Sequence, residues 1–404
     1  MNFDYAIVGG GIVGLSVARE LTHRAPKAKI ALFEKEPEIG LHASGRNSGV
    51  LHSGIYYSPG SLKARFCAEG ARVWKGYCRE RGLPLKETGK IVLPVSADQD
   101  TALDLLFERG RANGAEPELI DGKSLADMEP EARTATGRAL WVRQTAVIDS
   151  REILRSLRDD LSDVEFIHGQ TKLENRAVVV QGQRYEFGEL INCAGLWADK
   201  VAQAYGAGDG YTMLPIRGRY FKHVGDLALR HQIYPVPDLN VPFLGVHFTL
   251  GIDDAVYLGP SALPALGREH YRGLSGATLR SAGSNIARIA RLFMANRNGF
   301  RTYFWRESRR AIRSQFAREA RQMVPRLRTG DLQACEKVGI RAQLVDLKTQ
   351  SLAMDFVIER GERSLHVLNA VSPGFTCAPS FARHIVDRLL ESKEKAWTYA
   401  ESAS

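Results

Sequence analysis

A chain of 404 residues with a net charge of +9 can bury a large core and form two domains, and its 44% hydrophobic and 25% charged residues exclude fibrous and disordered classes. It has no run of 18 apolar residues and no charged-then-apolar leader, so neither a transmembrane helix nor a signal peptide is predicted. The five cysteines follow neither disulfide nor zinc spacing, so we expect no metal site. They favour reduced thiols on the cytoplasmic side, in a protein that is soluble or peripheral on the inner membrane.

The first 35 residues contain the parts of a dinucleotide-binding unit. An apolar strand, Tyr5–Val8, leads into Gly9, Gly11 and Gly14, and an apolar helical pattern and a second strand ending on Glu34 follow. The three glycines permit a tight turn, close approach of a pyrophosphate, and helix–strand packing, while Glu34 can bind an adenosine ribose. The cofactor-binding residues expected here are Gly9, Gly11, Ile12, Val13, Gly14, Glu34 and Lys35.

The next stretch, residues 41–57, selects among the dinucleotides. NAD, NADP and FAD are all open from the glycines alone, and Glu34 disfavours the 2′-phosphate of NADP. The stretch is rich in small residues and hydrogen-bond donors, and it resembles the D-amino-acid-oxidase-like group of FAD-dependent oxidoreductases, which carry Gly-x-x-His-x-Gly at this place. The alternative is a glycine-rich surface loop. We expect FAD contacts from Ser44, Arg46, Asn47, Ser48 and Gly49.

Later segments complete a predicted fold of two interleaved domains. A strand at 190–193 runs into a small-residue turn, and near the C-terminus a strand, a loop at 373–376 and a helix at 378–390 are predicted to close the sheet. The loop and helix could face the flavin pyrimidine edge. The further cofactor-binding residues expected here are Cys193, Ala194, Gly195, Gly374, Phe375 and Thr376.

The fold class is therefore α/β, with a Rossmann-like FAD-binding domain and an interleaved α+β substrate domain built on a mostly antiparallel sheet. We assign residues 1–83, 145–212 and 336–400 to the FAD-binding domain. Residues 84–144 and 213–335 are assigned to the substrate domain, whose strands from 213 to 249 are expected to roof the substrate pocket.

The segment 286–328 holds all of the excess charge. It has twelve arginines and two glutamates, for a net charge of +10, and its apolar residues recur at helical spacing. Such a basic amphipathic pair of helices can lie on an anionic membrane surface, where a quinone would be within reach. Equally, it can be a helical subdomain packed on its own protein, with a solvated arginine face. Nucleic-acid binding is the weaker reading, because no recognition motif accompanies the charge.

Several motifs together resemble one family over essentially the whole chain. These are the motifs at 52–64, 245–249, 258–260, 338–343 and 369–378. They are similar to the FAD-dependent L-2-hydroxyglutarate dehydrogenases and oxidases, which implies oxidation of L-2-hydroxyglutarate to 2-oxoglutarate with hydride transfer to flavin N5. Two positions depart from the family pattern, Arg219 where an acid is expected and Ser261 where Asn is expected, and either change could retune the pocket.

Oxidation of a 2-hydroxy acid needs a base for the hydroxyl proton and a cation for the carboxylate. His247 and His52 are the candidate bases, with His247 preferred because it lies in the expected pocket roof, and a structural role is the alternative for each. Arg341 suits the carboxylate because a guanidinium binds it in a bidentate manner. The other substrate-binding candidates are Tyr56, Tyr57 and Thr249, with Arg217 or Lys63 for a second carboxylate.

Several alternatives stay open from the sequence. Some relatives link FAD covalently through a histidine in a stretch similar to His42–Gly45, and we expect non-covalent FAD. A related amino-acid oxidase or glycerol-3-phosphate dehydrogenase is the second enzyme hypothesis, and a nucleic-acid-associated flavoprotein is a third. Electrons could leave to oxygen, a quinone or a protein, and the basic segment favours a membrane quinone and hence a dehydrogenase.

Overall fold

A computed structural model describes residues 2–241, 243–272 and 275–401, with side chains described up to Glu391. The assigned domain ranges also include Met1, Pro242, Gly273 and Leu274, which lie outside the described residues. The helices are α1 (Ile12–Arg24), α2 (Leu62–Arg81), α3 (Asp100–Ala112), α4 (Gly122–Met128), α5 (Ser150–Asp159), α6 (Ala198–Ala204), α7 (Leu279–Ala295), α8 (Phe300–Arg310), α9 (Arg313–Ala320) and α10 (Gly374–Glu401).

The strands of the described chain form three sheets. They are β1 (Asn2–Val8), β2 (Ile30–Glu34), β3 (Val50–Leu51), β4 (Leu85–Lys86), β5 (Lys90–Leu93), β6 (Pro117–Asp121), β7 (Arg138–Val142), β8 (Ala146–Ile148), β9 (Val164–His168), β10 (Thr171–Glu174), β11 (Ala177–Val180), β12 (Gln183–Asn192), β13 (Tyr211–His223), β14 (Gln232–Pro235), β15 (His247–Leu250), β16 (Val256–Gly259), β17 (Leu263–Pro264), β18 (Leu332–Asp346), β19 (Ser351–Leu352), β20 (Val357–Gly361) and β21 (Ser364–Asn369).

The first sheet is the predicted Rossmann-like core. Strands β9, β2, β1, β12 and β21 run parallel in that order, and β10, β11 and β20 add antiparallel pairs at the side of β12 and β21. The residues Tyr5–Val8 are buried on both faces of the sheet, as expected for a central parallel strand. Helices α1, α2 and α10 cover one face with a continuous apolar core.

The second sheet has ten strands and is antiparallel except where β5 pairs with β14, so the predicted mostly antiparallel substrate sheet is confirmed. One predicted boundary differs from the structure. Strand β18 pairs with β13 over almost its whole length and β19 extends the same sheet. The last FAD-binding segment therefore begins beyond Leu352 and not at residue 336.

Helix α10 begins earlier than predicted, because Gly374–Thr376, predicted as a loop, forms its first turn. Pro379 inside the helix cannot donate a backbone hydrogen bond to Phe375, which normally ends a helix. Here the indole Nε1 of Trp74, on α2, donates to the oxygen of Phe375 at 2.8 Å and satisfies the freed carbonyl. The helix N-terminus is thereby extended towards the cofactor cavity.

The basic segment 286–328 is helical, as predicted, and lies on the substrate domain. Its inward side chains Leu292, Phe300, Tyr303 and Phe316 are buried in apolar clusters. Much of its apolar surface therefore packs on its own protein. None of the helices in the described part of the chain has the length and hydropathy needed to cross a membrane.

Candidate active site

A cavity of about 560 Å³ lies where the two large sheets meet. The β1–α1 turn, the end of β12 and the start of α10 line it from the FAD-binding domain, and β13 and β18 line it from the substrate domain. This is the carboxyl end of the parallel sheet, where nucleotide ligands bind in α/β folds. Sixteen of the eighteen predicted cofactor-binding residues line the cavity; the two exceptions are Gly14 and Gly49.

The β1–α1 turn has the shape that its glycines were predicted to provide. Gly9 has φ +113°, and a Cβ added there would lie 2.4 Å from the carbonyl oxygen of Cys193. A Cβ on Gly14 would lie 2.0 Å from the oxygen of Gly9, so Gly14 serves close packing behind the turn. Gly11 precedes α1 without a side-chain cap, and the first turn of the helix contains no acid. The helix N-terminus thus faces the cavity ready to bind an anion.

Glu34 lines the cavity at the end of β2. Its Oε2 accepts a hydrogen bond from the backbone N–H of Gly10 at 2.8 Å, and its Oε1 accepts one from the N–H of Glu36 at 3.0 Å. These bonds fix the carboxylate while leaving lone pairs on both oxygens for ribose hydroxyls. Lys35 lines the cavity beside it and forms an ion pair with Glu269 at 2.9 Å.

The small-residue run 44–49 folds against the turn. The Ser44 hydroxyl accepts from the N–H of Ile12 at 2.9 Å, and Arg46 donates through Nε to the oxygen of Leu41 at 2.7 Å. Gly49 lies behind the cavity wall, where its φ of +77° and the nearby oxygen of Ile148 leave no room for a Cβ. The predicted loop is therefore a wall of the cavity and not a free surface loop.

His42 and its neighbours form the one described group with metal-like spacing, Glu36, His42 and Glu269. The ammonium of Lys35 already lies among them, 3.0 Å from His42 Nε2 and 2.9 Å from Glu269, and also bonds to Glu36. His42 Nδ1 is hydrogen-bonded to the Tyr271 hydroxyl at 2.8 Å. Both ring nitrogens are engaged, which is consistent with non-covalent FAD.

His52 and Arg341 mark the end of the cavity that lies next to the substrate sheet. The backbone N–H of His52 donates to the hydroxyl of Thr376 at 3.2 Å, which ties the chain after β3 to the first turn of α10. Arg341 makes no hydrogen bond or ion pair within the described residues, and its guanidinium lies 5.5 Å from the ring centre of Phe243. An unpaired arginine beside a cofactor cavity is available to a ligand anion.

Behind His52, one face of the substrate sheet carries a buried polar group that we call the strand-face cluster: Lys90, Tyr234, His247 and Thr249, with Tyr56 and His52 from the chain after β3. The pairing of Ile233 with Phe248 places Tyr234 beside His247, and their rings stack with centres 4.0 Å apart. Lys90 Nζ lies 4.8 Å from the Tyr56 ring centre and 4.7 Å from that of Tyr234. Sequence reasoning missed Lys90 and Tyr234.

Both candidate bases are neutral imidazoles at ordinary pH. Burial, together with the charges of Arg341 and Lys90, lowers the pKa of His247 to about 3, and burial with the same two charges lowers the pKa of His52 well below its usual value. His247 Nδ1 lies 2.9 Å from the oxygen of Gly245. A carbonyl only accepts, so Nδ1 carries the proton and Nε2 keeps the lone pair that a base requires.

The structure divides the other predicted substrate residues. Tyr56 and Thr249 belong to the strand-face cluster, and Tyr57 lies beside Lys63, whose Nζ is 5.9 Å from its ring centre. Arg217 is not brought together with Arg341: it pairs with Ile340 in the β13–β18 register, and therefore points to the opposite side of the sheet. Its Nη1 lies 3.4 Å from His270 Nε2.

Known proteins match this chain over nearly its whole length. The family model "FAD dependent oxidoreductase" covers residues 4–388. The L-2-hydroxyglutarate dehydrogenase of Escherichia coli K12 is 35% identical, over 96% of this chain and 93% of that protein. The mitochondrial enzyme of that name from Bos taurus is 32% identical, over 96% and 89%.

Solved structures show the same fold. The reduced L-α-glycerophosphate oxidase of Mycoplasma pneumoniae, with FAD bound, superposes with a TM-score of 0.74 at 22% identity, covering 96% of this chain and 94% of that one. Glycine oxidase of Geobacillus kaustophilus gives a TM-score of 0.69 at 16% identity, covering 97% and 95%. At these identities the structural similarity shows the fold alone.

We expect Gly11→Ala to fold normally and to bind FAD at least tenfold more weakly, a loss of about 1.4 kcal/mol. Its φ of −83° suits alanine, but the new Cβ would lie 3.0 Å from Ser44 Oγ, where the pyrophosphate must approach the turn. Flavin absorbance per mole of purified protein and titration of the apoprotein measure the loss. The matched control is Gly76→Ala on α2, where the added Cβ meets nothing within 4 Å. Equal FAD retention by the two variants would contradict the assignment.

Proposed function

Since the chain belongs to the FAD-dependent oxidoreductase family, among the L-2-hydroxyglutarate dehydrogenases, we propose that it oxidises L-2-hydroxyglutarate to 2-oxoglutarate. The observation that carries the proposal is the unpaired Arg341 and the neutral His52 at the cavity end, with neutral His247 behind them. Together they provide an anion-binding cation and proton acceptors beside the cofactor cavity. Bound FAD would supply, at flavin N5, the acceptor for the hydride that leaves the α-carbon.

Arg341 is proposed to bind the carboxylate next to the reacting carbon. Its guanidinium offers a fork of donors that no protein carboxylate in the described chain occupies. The two parallel hydrogen bonds of a bidentate contact would fix the orientation of the α-carbon and hold its hydrogen against the cofactor. Tyr56, Tyr57 and Thr249 are proposed to donate hydrogen bonds to the remaining substrate oxygens.

His247 is proposed to take the hydroxyl proton. The Gly245 carbonyl holds the proton on Nδ1, so Nε2 accepts, and stacking on Tyr234 fixes the plane of the ring. A low pKa in the free protein keeps the imidazole uncharged, and the negative charge of a bound substrate would raise that pKa as the proton arrives. His52, which lines the cavity itself, is proposed to contact the substrate nearer the flavin ring.

The test of the substrate is anaerobic reduction of the bound flavin by the two enantiomers of 2-hydroxyglutarate. We expect L-2-hydroxyglutarate to bleach the absorbance near 450 nm rapidly, and D-2-hydroxyglutarate to leave it unchanged, because the similar proteins are named for the L enantiomer. Amino acids and glycerol 3-phosphate test the second enzyme hypothesis in the same cuvette. Bleaching by one of these, with none by L-2-hydroxyglutarate, would replace the proposed substrate.

For the proposed base, we expect His247→Gln to lower kcat by roughly a hundredfold or more, the usual worth of a positioned general base. FAD content should stay normal, because His247 does not line the cofactor cavity. The rate of flavin reduction in single turnover separates the chemical step from substrate binding. His52→Gln is the comparison, and a larger loss of this rate there would assign the base to His52.

We propose that the outer side of the basic segment binds an anionic membrane surface and gives electrons to a quinone there. Within the described residues, this segment and the first residues of α7 before it carry five of the ten exposed large hydrophobic side chains: Leu279, Ile286, Met294, Trp305 and Ile312. Among them are exposed arginines, of which Arg291, Arg297 and Arg309 have no acidic partner in the described chain. Exposed apolar side chains among unpaired arginines are typical of a helical surface that docks on anionic lipid.

Binding to vesicles tests this surface. We expect the holoprotein to cosediment with phosphatidylglycerol-containing vesicles and not with phosphatidylcholine alone. The triple variant Arg291→Gln, Arg297→Gln, Arg309→Gln should bind roughly a hundredfold more weakly, because each arginine near the surface contributes about 1 kcal/mol. The matched control removes three exposed arginines elsewhere, at Arg72, Arg143 and Arg176. Equal losses in both triple variants would show a non-specific charge effect and contradict the proposal.

A further inference from the structure

Lys90 is a buried lysine whose amino group has no partner within the described residues. It lies on β5 between β7 and β14, it is fully buried, and its Nζ makes no hydrogen bond within the described residues. The rings of Tyr56 and Tyr234 flank it, but no carboxylate faces it. A buried ammonium in this state is costly unless a ligand supplies the missing negative charge.

Other polar atoms around Lys90 are also unpaired. The hydroxyl of Tyr56 and Nδ1 of His52 are buried without a hydrogen-bond partner in the described chain, and the hydroxyls of Tyr234 and Thr249 lie next to each other on the same sheet face. Buried polar groups are normally satisfied by protein, water or ligand. Several unsatisfied donors around one ammonium form a site built for an anion with more than one oxygen.

The position of the site relative to Arg341 sets the size of the anion. Arg341 lines the cofactor cavity and Lys90 does not, and both basic side chains act electrostatically on both histidines. The histidines therefore lie near both, one at the cavity and one in the strand-face cluster. A ligand with its reacting carbon at the histidines needs a carboxylate at each end, which is the shape of a short dicarboxylate.

We propose that Lys90 binds the distal carboxylate of the substrate and makes the enzyme specific for a dicarboxylic 2-hydroxy acid, with Tyr56 as a second donor. This inference rests on the proposed oxidation of a 2-hydroxy acid and adds the residue that selects its second charge. Lys63, the other buried lysine near the cavity, is a poorer candidate. Asp355 lies close enough to Lys63 to compensate its charge.

The surroundings of Lys90 give the proposal a second readout, proton uptake. Burial lowers the pKa of Lys90 to about 7, so the free side chain is mostly neutral at pH 8. A bound carboxylate would raise this pKa, so binding at pH 8 should take up a proton. Burial keeps His52 and His247 neutral. It also raises the pKa of Tyr56 and of Tyr234, so both hydroxyls stay protonated. The thiol of Cys67 donates its hydrogen to the oxygen of His52 at 3.3 Å. Burial also lowers the pKa of Lys63, to about 8, so the Lys90→Met variant is needed to assign the proton to Lys90.

The first experiment compares L-2-hydroxyglutarate with L-2-hydroxypentanoate, which has the same five-carbon chain without the distal carboxylate. We expect Lys90→Met to lower kcat/KM for the dicarboxylate roughly a hundredfold more than it lowers kcat/KM for the monoacid. Lys75→Met is the control, because Lys75 is a similarly buried lysine whose partner, Glu87, lies 2.8 Å away. A parallel loss on both substrates would show that Lys90 is structural and overturn the proposal.

The second experiment needs no turnover and uses the wild-type holoprotein. Glutarate, which has no hydroxyl to oxidise, is titrated by calorimetry at pH 8 in buffers of low and high ionisation enthalpy. We expect uptake approaching one proton per glutarate, none with pentanoate, and none in Lys90→Met. Absence of uptake in the wild type would overturn the proposal even if the variant fails to fold. Uptake without oxidation of either 2-hydroxy acid would leave the dicarboxylate site standing and refute the proposed reaction.

Discussion

Basic side chains without a compensating carboxylate are the constraint on which the site depends. Neither Arg341 nor the buried Lys90 has an acidic partner within the described chain, and both act electrostatically on two imidazoles. Because burial and both cations oppose further positive charge, His52 and His247 remain neutral proton acceptors. The same charges favour binding of an anion, because its negative charge would compensate theirs. Substrate affinity and readiness of the base therefore have one electrostatic origin.

The fold can hold this arrangement because the two faces of the substrate sheet are chemically opposite. Ile91, Ile233 and Phe248 point into an apolar core, while their neighbours Lys90, Tyr234 and His247 point to the other side. A shift of one residue in the pairing of any of these strands would bury the apolar side chains at the site and the lysine in the core. The dense core therefore fixes the register, and the register positions the polar side chains.

The sequence predicted what local chain geometry determines. The turn at Gly9 and the acid Glu34 lie within one strand–helix–strand unit, and nearly all of the predicted cofactor-binding residues line the cavity. Lys90 could not be found in this way, because a lysine before Ile91 gives no local sign of which strands will pair beside it. The first turn of α10 was missed for a similar reason, since Trp74, some 300 positions away, supplies the donor that makes Pro379 tolerable in the helix. The opposite placement of Arg217 likewise depends on a long-range register.

Helix α8 connects the outer surface of the basic segment with the substrate site. On its inner side, the hydroxyl of Tyr303 donates to the oxygen of Ala262 at 2.7 Å, and its ring stacks on Phe243 with centres 4.8 Å apart. Phe243 in turn lies under the guanidinium of Arg341. Trp305 follows two residues later on the exposed side of the same helix. Packing on its own protein and binding to a membrane are therefore compatible roles for the basic segment. One face of its helices packs on the substrate domain, and the other face is exposed. A surface that binds the outer face of this helix would therefore lie two ring contacts, Tyr303 and Phe243, from Arg341.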